Sequence, residues 1–282
     1  MSAPTPLPPA LADVLDDAIG AHRVVEREVS GNGGARAWWV RSGAGRFVVK
    51  VVGEHDSHRL DLTRTARAQH LAHQAGVPVP TVVRAVRGPG WTCLVTEHVD
   101  GIPWREARAS LDDADVAAVH AALEDVVRRL RRVPFAGFGS LDDPRLDELD
   151  ALREHARLRI ADPAHARLAA RVLDRESALF DRTDAVLVHD DLHHGNVLVR
   201  RSGDGWALAA VVDWDKAWSG PADADAARMA FWDDMPGQED ADDRRALVHQ
   251  LLWCLEYPAA TDRHRDDLRR LTRLLGAGPT QH

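Results

Sequence analysis

The feature that most constrains this chain is residues 186–215, where three short apolar runs each end on polar residues. Val186–Val188 leads into His189-Asp190-Asp191-Leu192-His193-His194-Gly195-Asn196. Val197–Val199 follows, then a turn at Ser202-Gly203-Asp204-Gly205, and Ala207–Val212 ends on Asp213-Trp214-Asp215. Short apolar runs bounded by turn residues read as strands, so Asp191, Asn196 and Asp213 come to loop ends, where side chains can meet a ligand. A carboxylate, an amide and a second carboxylate brought together this way can hold one or two Mg²⁺ through oxygen and accept a proton from a hydroxyl.

The remainder must supply something for that set to act on. With 282 residues, the chain can bury a sizeable core as one large or two medium domains. The net charge of −8 argues against nucleic acid or an anionic membrane as the main partner and fits a cationic substrate. Cys93 and Cys254 sit apart in apolar surroundings, with neither a disulfide framework nor a metal pattern, which points to a reducing, cytoplasmic setting. The Pro-rich start, Met1–Pro9, lacks the pattern of a signal peptide, and no apolar run approaches the roughly 18–20 residues that cross a bilayer. Of 36 basic residues only Lys50 and Lys216 are lysines, so these two mark places where a compact ammonium is wanted.

In chain order, a helix is expected over 11–21 and a strand over 24–29. Ser30-Gly31-Asn32-Gly33-Gly34 turns the chain into strands over 38–40 and 47–52. A Gly-rich hairpin can lay backbone N–H groups against phosphates, or be only a hairpin; it matches neither G-x-x-x-x-G-K-[ST] nor G-x-G-x-x-G. Lys50, inside an apolar strand, faces solvent or reaches a phosphate. A helix over 58–75 and strands over 81–87 and 91–96 complete a first unit, 1–97. From 98 to 282 the pattern is mainly helical (111–133, 145–160, 164–181, then 222–234, 239–256 and 262–275).

This order resembles the aminoglycoside phosphotransferase and choline kinase-like family, small-molecule relatives of protein kinases, with viomycin/capreomycin phosphotransferases as a candidate branch. The resemblance rests on His189–Asn196 and Val211–Asp215, with Gly76-Val77-Pro78-Val79-Pro80 and Leu94–Gly101 in support. It implies an α+β, two-lobed, protein-kinase-like fold with an antiparallel-sheet N-lobe and a mainly helical C-lobe, using ATP and Mg²⁺. By that resemblance Asp191 is the catalytic base and Asn196 and Asp213 hold the metal. Lys50 binds the α- and β-phosphates, the 30–34 turn (Ser30, Gly31, Gly33, Gly34) covers the nucleotide, and the Glu97 and Val99 backbone holds adenine. His189 is expected to be structural. The departures are a helix 58–75 without the usual Glu partner for the strand Lys, which leaves Asp61, Glu54 or Asp56 for that role, Asp190 in place of a Gly, and His194 in place of a Pro.

Residues 213–243 hold ten carboxylates against Lys216 and Arg228, which points to a cationic, hydroxyl-bearing acceptor. Negative charge from Glu239 onward is equally explained by a helix start. His193, Trp214, Asp215, Trp232, Asp233 and Asp234 are the acceptor candidates, and the aromatics among them also suit a choline-type ammonium. His193 and His194 beside Asp190 or Asp191 invite a metal reading, but neither HExxH nor any Cys/His spacing supports zinc. A metabolite kinase and a nucleotide-holding module without turnover stand as the other readings.

Overall fold

The computed structural model describes residues 7–21, 23–30, 35–53, 60–180, 183–203, 205–237, 243–257 and 261–277, with the backbone alone at 27–30. A 3-10 turn and helix α1 (Ala12–Ile19) precede strands β1 (Arg23–Ser30), β2 (Arg36–Ser42) and β3 (Gly45–Gly53). Helix α2 (Leu62–Gln74) follows, then β4 (Val82–Gly88) and β5 (Trp91–Glu97). These five strands form one antiparallel sheet in the order β1-β2-β3-β5-β4. Alternation along β3 sends Phe47 and Val49 into the core beneath α1 and turns Lys50 to the opposite face, towards α2.

The rest is mainly helical. β6 (Ile102–Pro103) runs into α3 (Trp104–Ala107) and α4 (Asp113–Leu130). The short strands β7 (Phe138–Ser140) and β8 (Asp143–Leu146) precede α5 (Glu148–Arg159) and α6 (Pro163–Arg175). Strands β9 (Ala185–Val188), β10 (Val197–Ser202), β11 (Gly205–Val211) and β12 (Trp218–Pro221) lead to α7 (Ala224–Ala230), α8 (Arg244–Leu255) and α9 (Asp262–Leu274). Side chains at the starts of most helices explain where they begin. Asp61, Asp112, Asp147, Asp162, Asp243 and Thr261 each accept a backbone N–H of the first turn, worth about 1 kcal/mol apiece.

This is the α+β arrangement of an antiparallel-sheet lobe followed by a helical lobe that the resemblance implied. β9 does not pair with β10 or β11 but with β12, in the sheet β8-β7-β12-β9, whereas β10 lies between β11 and β6. Strands of two to four residues carry too little alternation to be read from sequence. The loop 189–196 therefore bridges two sheets. Its far end is tied down by Val212 N–H on the Asn196 carbonyl (2.9 Å) and Val211 N–H on the Pro78 carbonyl (2.8 Å). Among the described residues no helix is long and apolar enough to cross a membrane.

Candidate active site

Lys50 Nζ donates to Asp213 Oδ1 at 2.9 Å and to Asp215 Oδ2. Asp215 also accepts from Thr65 Oγ1 of α2 at 3.1 Å. The carboxylate partner of the strand lysine thus comes from beyond β11, and the Glu-less helix contributes only a hydroxyl. Of the partners considered from sequence, Asp61 instead caps α2 and pairs with Arg87, and Glu54 and Asp56 lie outside the described residues. Burial alone would discharge the Lys50 ammonium, but Asp215 and Asp213 outweigh it and hold its pKa above the ordinary lysine value. Asp215, buried and beside a like charge, is pushed up to about 6 despite Lys50. One ammonium facing two carboxylates leaves excess negative charge here. With the Asn196 amide, the donors are all oxygen, the set a hard cation such as Mg²⁺ requires.

The catalytic loop is held from below. Asp190 and Asp213 both have left-handed backbones (φ 63° and 65°), which explains why a Gly is usual at the first of these positions. Aspartate tolerates that conformation, and Asp225 stabilises it: its buried carboxylate accepts the N–H groups of His189 and Asp190, each at 2.9 Å. His189 Nδ1 accepts the Asp191 N–H (3.1 Å), so Nε2 carries the proton and donates to the Val212 carbonyl (3.0 Å). This matches its reading as a structural residue. Gly195 is forced by close approach, since a Cβ there would lie 2.7 Å from the His193 ring.

Asp191 is nearly buried. Arg228 Nη2 donates to its Oδ1, and Lys216 Nζ lies 3.6 Å from the same oxygen. Asn196 Nδ2 donates to the Asp191 carbonyl (2.9 Å) and sits 3.4 Å from Oδ2. Burial pushes the Asp191 carboxyl up, but Arg228 and Lys216 more than reverse this and leave it below the usual range. It is ionised at neutral pH and can take up a proton. Lys50 pairs with Asp213, Asn196 lies beside Asp191, and the Asp191 charge acts on Asp213. The 31–34 part of the Gly-rich turn lies outside the described residues, and at Ser30 only the backbone is described. In the linker, Glu97 N–H bonds to the Thr81 carbonyl and His98 N–H to the Arg46 carbonyl; neither bond uses the Glu97 carbonyl or the Val99 N–H.

The acceptor candidates divide. His193 accepts the Gly195 N–H and packs near Trp232. Burial first, then Arg228, lowers its pKa to about 4, so it is neutral at physiological pH. Trp214 is not an acceptor contact: it is 1% exposed, its indole N–H donates to the Val211 carbonyl, and it packs edge-on to His189. Asp215 is likewise spent on Lys50 and Thr65. Asp234 receives His194 at 2.9 Å, while its carbonyl accepts the Trp104 indole N–H. Asp233 stays open, its side chain 88% exposed and 3.6 Å from Arg263. The other carboxylates of the acidic segment are mostly structural too. Asp223 holds Arg245 near His249, Asp225 holds the loop, Asp243 caps α8, and Glu239, Asp240 and Asp242 lie outside the described residues.

Several site residues escaped sequence reading. Asp225 and Arg228, one helical turn apart on α7, hold the backbone and the carboxylate of the same loop; their i, i+3 spacing was the available signal. His155 and Glu256 also gather with Asp190, their ligand-capable atoms within 4.8 Å of one another. Lys216 at 2.9 Å from Glu256, and His155 at 3.0 Å and Arg159 at 3.6 Å from Asp190, tie this cluster into an ion-pair network. Among the described residues His193 and His194 belong to no such cluster, and His194 Nδ1 lies 2.9 Å from Asp234.

Comparison with known proteins extends this picture. Residues 25–266 match the phosphotransferase enzyme family. No curated protein matches the sequence. Among solved structures, a thermostable mutant of aminoglycoside phosphotransferase APH(4)-Ia, in ternary complex with AMP-PNP and hygromycin B, superposes with a TM-score of 0.69. It is 18% identical over 96% of this chain and 100% of its own. A putative fructosamine-3-kinase from Haemophilus somnus 129PT follows at a TM-score of 0.66, 14% identical over 94% of this chain and 96% of its own. The streptomycin–ATP–APH(2")-IIa complex gives a TM-score of 0.56, 14% identical over 95% of this chain and 97% of its own.

Proposed function

The chain belongs to the phosphotransferase enzyme family, and from that premise we propose that it is an ATP- and Mg²⁺-dependent O-phosphotransferase acting on a hydroxyl of a small cationic molecule. Two contacts carry the proposal, Lys50 on Asp213 and the Asn196 amide beside Asp191, among residues placed by strands β3, β9, β10 and β11. Asn196 and Asp213 would hold Mg²⁺, which supplies charge neutralisation for the phosphates when bound. Lys50 would turn its ammonium to the α- and β-phosphates, with Asp215 keeping it charged and in place. The turn beginning at Ser30 would cover the nucleotide, and the Glu97 carbonyl and Val99 N–H would hold adenine. Asp191 would orient the acceptor hydroxyl and take its proton as the new O–P bond forms and the bond to the ADP oxygen breaks.

For the acceptor, the overall charge and the open Asp233 support a polycationic alcohol, drawn in electrostatically. Aminoglycosides and tuberactinomycin-type peptides such as viomycin and capreomycin fit that chemistry, and phosphorylating them would confer resistance. The fold shared with aminoglycoside phosphotransferases is consistent with this. Dependence on ATP would put the protein in the cytoplasm. A metabolite acceptor is the second reading. It is favoured by the internal use of most carboxylates after β11, by the aromatic group Trp232, Trp253 and Tyr257, and by the fold shared with the putative fructosamine kinase.

The test is mass spectrometry of a panel of polycationic antibiotics, choline and glycated amines after incubation with ATP and Mg²⁺. A gain of one phosphoryl group on an antibiotic supports the first reading, and on a metabolite the second. ATP binding without transfer to any alcohol would sink both.

A further inference from the structure

The Asp191 carboxylate has two unequal oxygens. Oδ1 is occupied by the Arg228 guanidinium and lies 3.6 Å from Lys216 Nζ, whereas among the described residues Oδ2 has only the distant Asn196 amide. We propose that Arg228 is a positioning residue that grips Oδ1 from inside the protein, so that Oδ2 is the oxygen presented to the acceptor hydroxyl. The proposal rests on the reading of Asp191 as the base and adds which atom acts and what holds it.

Three features make Arg228 a fixed part of the site and not a surface side chain that happens to be nearby. It is 6% exposed, and its guanidinium lies over the Trp253 ring of α8 at 3.6 Å, so swinging away would forfeit a buried cation–π contact. It shares α7 with Asp225, which holds the backbone of His189 and Asp190, so one rigid element fixes both the loop and its carboxylate. Its remaining nitrogens, Nε and Nη1, are buried with no protein acceptor. Buried guanidinium N–H groups left unsatisfied are costly. A cavity of about 30 Å³ behind the loop is lined by Arg228, Trp218, Gln250 and Trp253, and the polar atoms Trp218 Nε1, Gln250 Oε1 and Trp253 Nε1 also lack partners. That volume holds one or two waters, which would satisfy these groups together and keep the guanidinium plane aimed at Oδ1.

Steady-state kinetics on the full chain tests this, using whichever acceptor is phosphorylated or, failing that, the slow transfer to water read as ATP hydrolysis. Arg228→Met is expected to lower kcat about a hundredfold, as a misplaced reacting group does, while KM for ATP stays within about twofold because Lys50 and Asp213 do not touch Arg228. Arg228→Lys should recover a large part of that loss. An unchanged kcat in folded Arg228→Met, a parallel collapse of kcat and ATP KM, or an Arg228→Lys variant no better than Met would overturn the proposal. Thermal unfolding reports whether the Met variant folds. If it does not, Trp253→Leu decides: a lower kcat at constant ATP KM supports the role, and an unchanged kcat rejects it. Wild-type protein that transfers to neither alcohol nor water refutes the phosphotransferase reading itself, and the positioning role with it. Normal wild-type turnover with an indifferent Arg228 refutes only the latter.

Discussion

The two sides of Asp191 are built on opposite electrostatic plans. Towards β3, one lysine meets Asp213 and Asp215, and among the described residues no second lysine or arginine pairs with them. Away from β3, several carboxylates are matched by cations or histidine: Asp191 by Arg228 and Lys216, Glu256 by Lys216, Asp223 by Arg245, Asp234 by His194. A count of acidic residues measures charge carried, whereas a ligand meets only charge that the fold has left uncompensated. The first side leaves charge that a bound cation would meet on the proposed reading, and the second uses its charge to hold Asp191 and the helices behind it.

Substitutions on each side should separate the two plans. The largest effect is expected from Asp191→Asn, which keeps the shape but cannot take up the hydroxyl proton. Transfer should fall about a thousandfold with ATP affinity little changed; calorimetric ATP titration alongside turnover checks this, and lost ATP binding would refute the assigned role. Next is Lys50→Met, expected to lower kcat/KM for ATP about a hundredfold and to weaken nucleotide binding, the reverse split from Asp191→Asn. Equal ATP affinity in the variant would show that Lys50 serves only Asp213 and Asp215.

On the matched side the effects should appear in stability. Burial raises the Asp223 carboxyl, but His249, 3.7 Å away, and the Arg245 guanidinium bonded to it prevail and hold its pKa far below the ordinary value. A depressed folded-state pKa stabilises above the unfolded value, near 4, and that contribution is lost as pH falls. Asp223→Asn should therefore unfold at lower temperature than wild type at neutral pH, with the gap closing below about pH 4. A gap independent of pH would mean the ion pairs contribute nothing. The smallest effect is expected at Asp233, which is open to solvent. Asp233→Asn should raise KM for a polycationic acceptor by only about twofold to fivefold and leave the melting temperature in place, as for an exposed charge. Loss of that KM effect would turn the acceptor reading towards an uncharged metabolite.

How far the site was legible follows chain distance. Asp191, Asn196 and Asp213 lie within 23 positions of one another in a strand–loop–strand pattern, so the sequence could place each at the end of a short strand. Lys50 stood out because a lysine inside an apolar strand, in a chain with only two, needs an explanation. Asp215 looked like an acceptor contact because it ends the same run, yet it serves a lysine 165 residues earlier. Trp214 seemed available to a ligand because nothing local says which way a loop tryptophan turns; packing against His189 turned it inward.

By itself, then, the sequence indicated the main helices and the strands of the first sheet, and side chains whose chemistry suits metal binding and proton transfer. Those properties follow from periods of two and 3.6 and from the chemistry of each side chain, which need no distant partner. Tertiary structure alone decided which carboxylates face a ligand and which are consumed. It set Arg228 and Asp225 behind the loop, paired β9 with β12, and gave Lys50 two carboxylates in place of a helix glutamate. Charge compensation acts over a few ångströms in space, and separation along the chain does not report that distance.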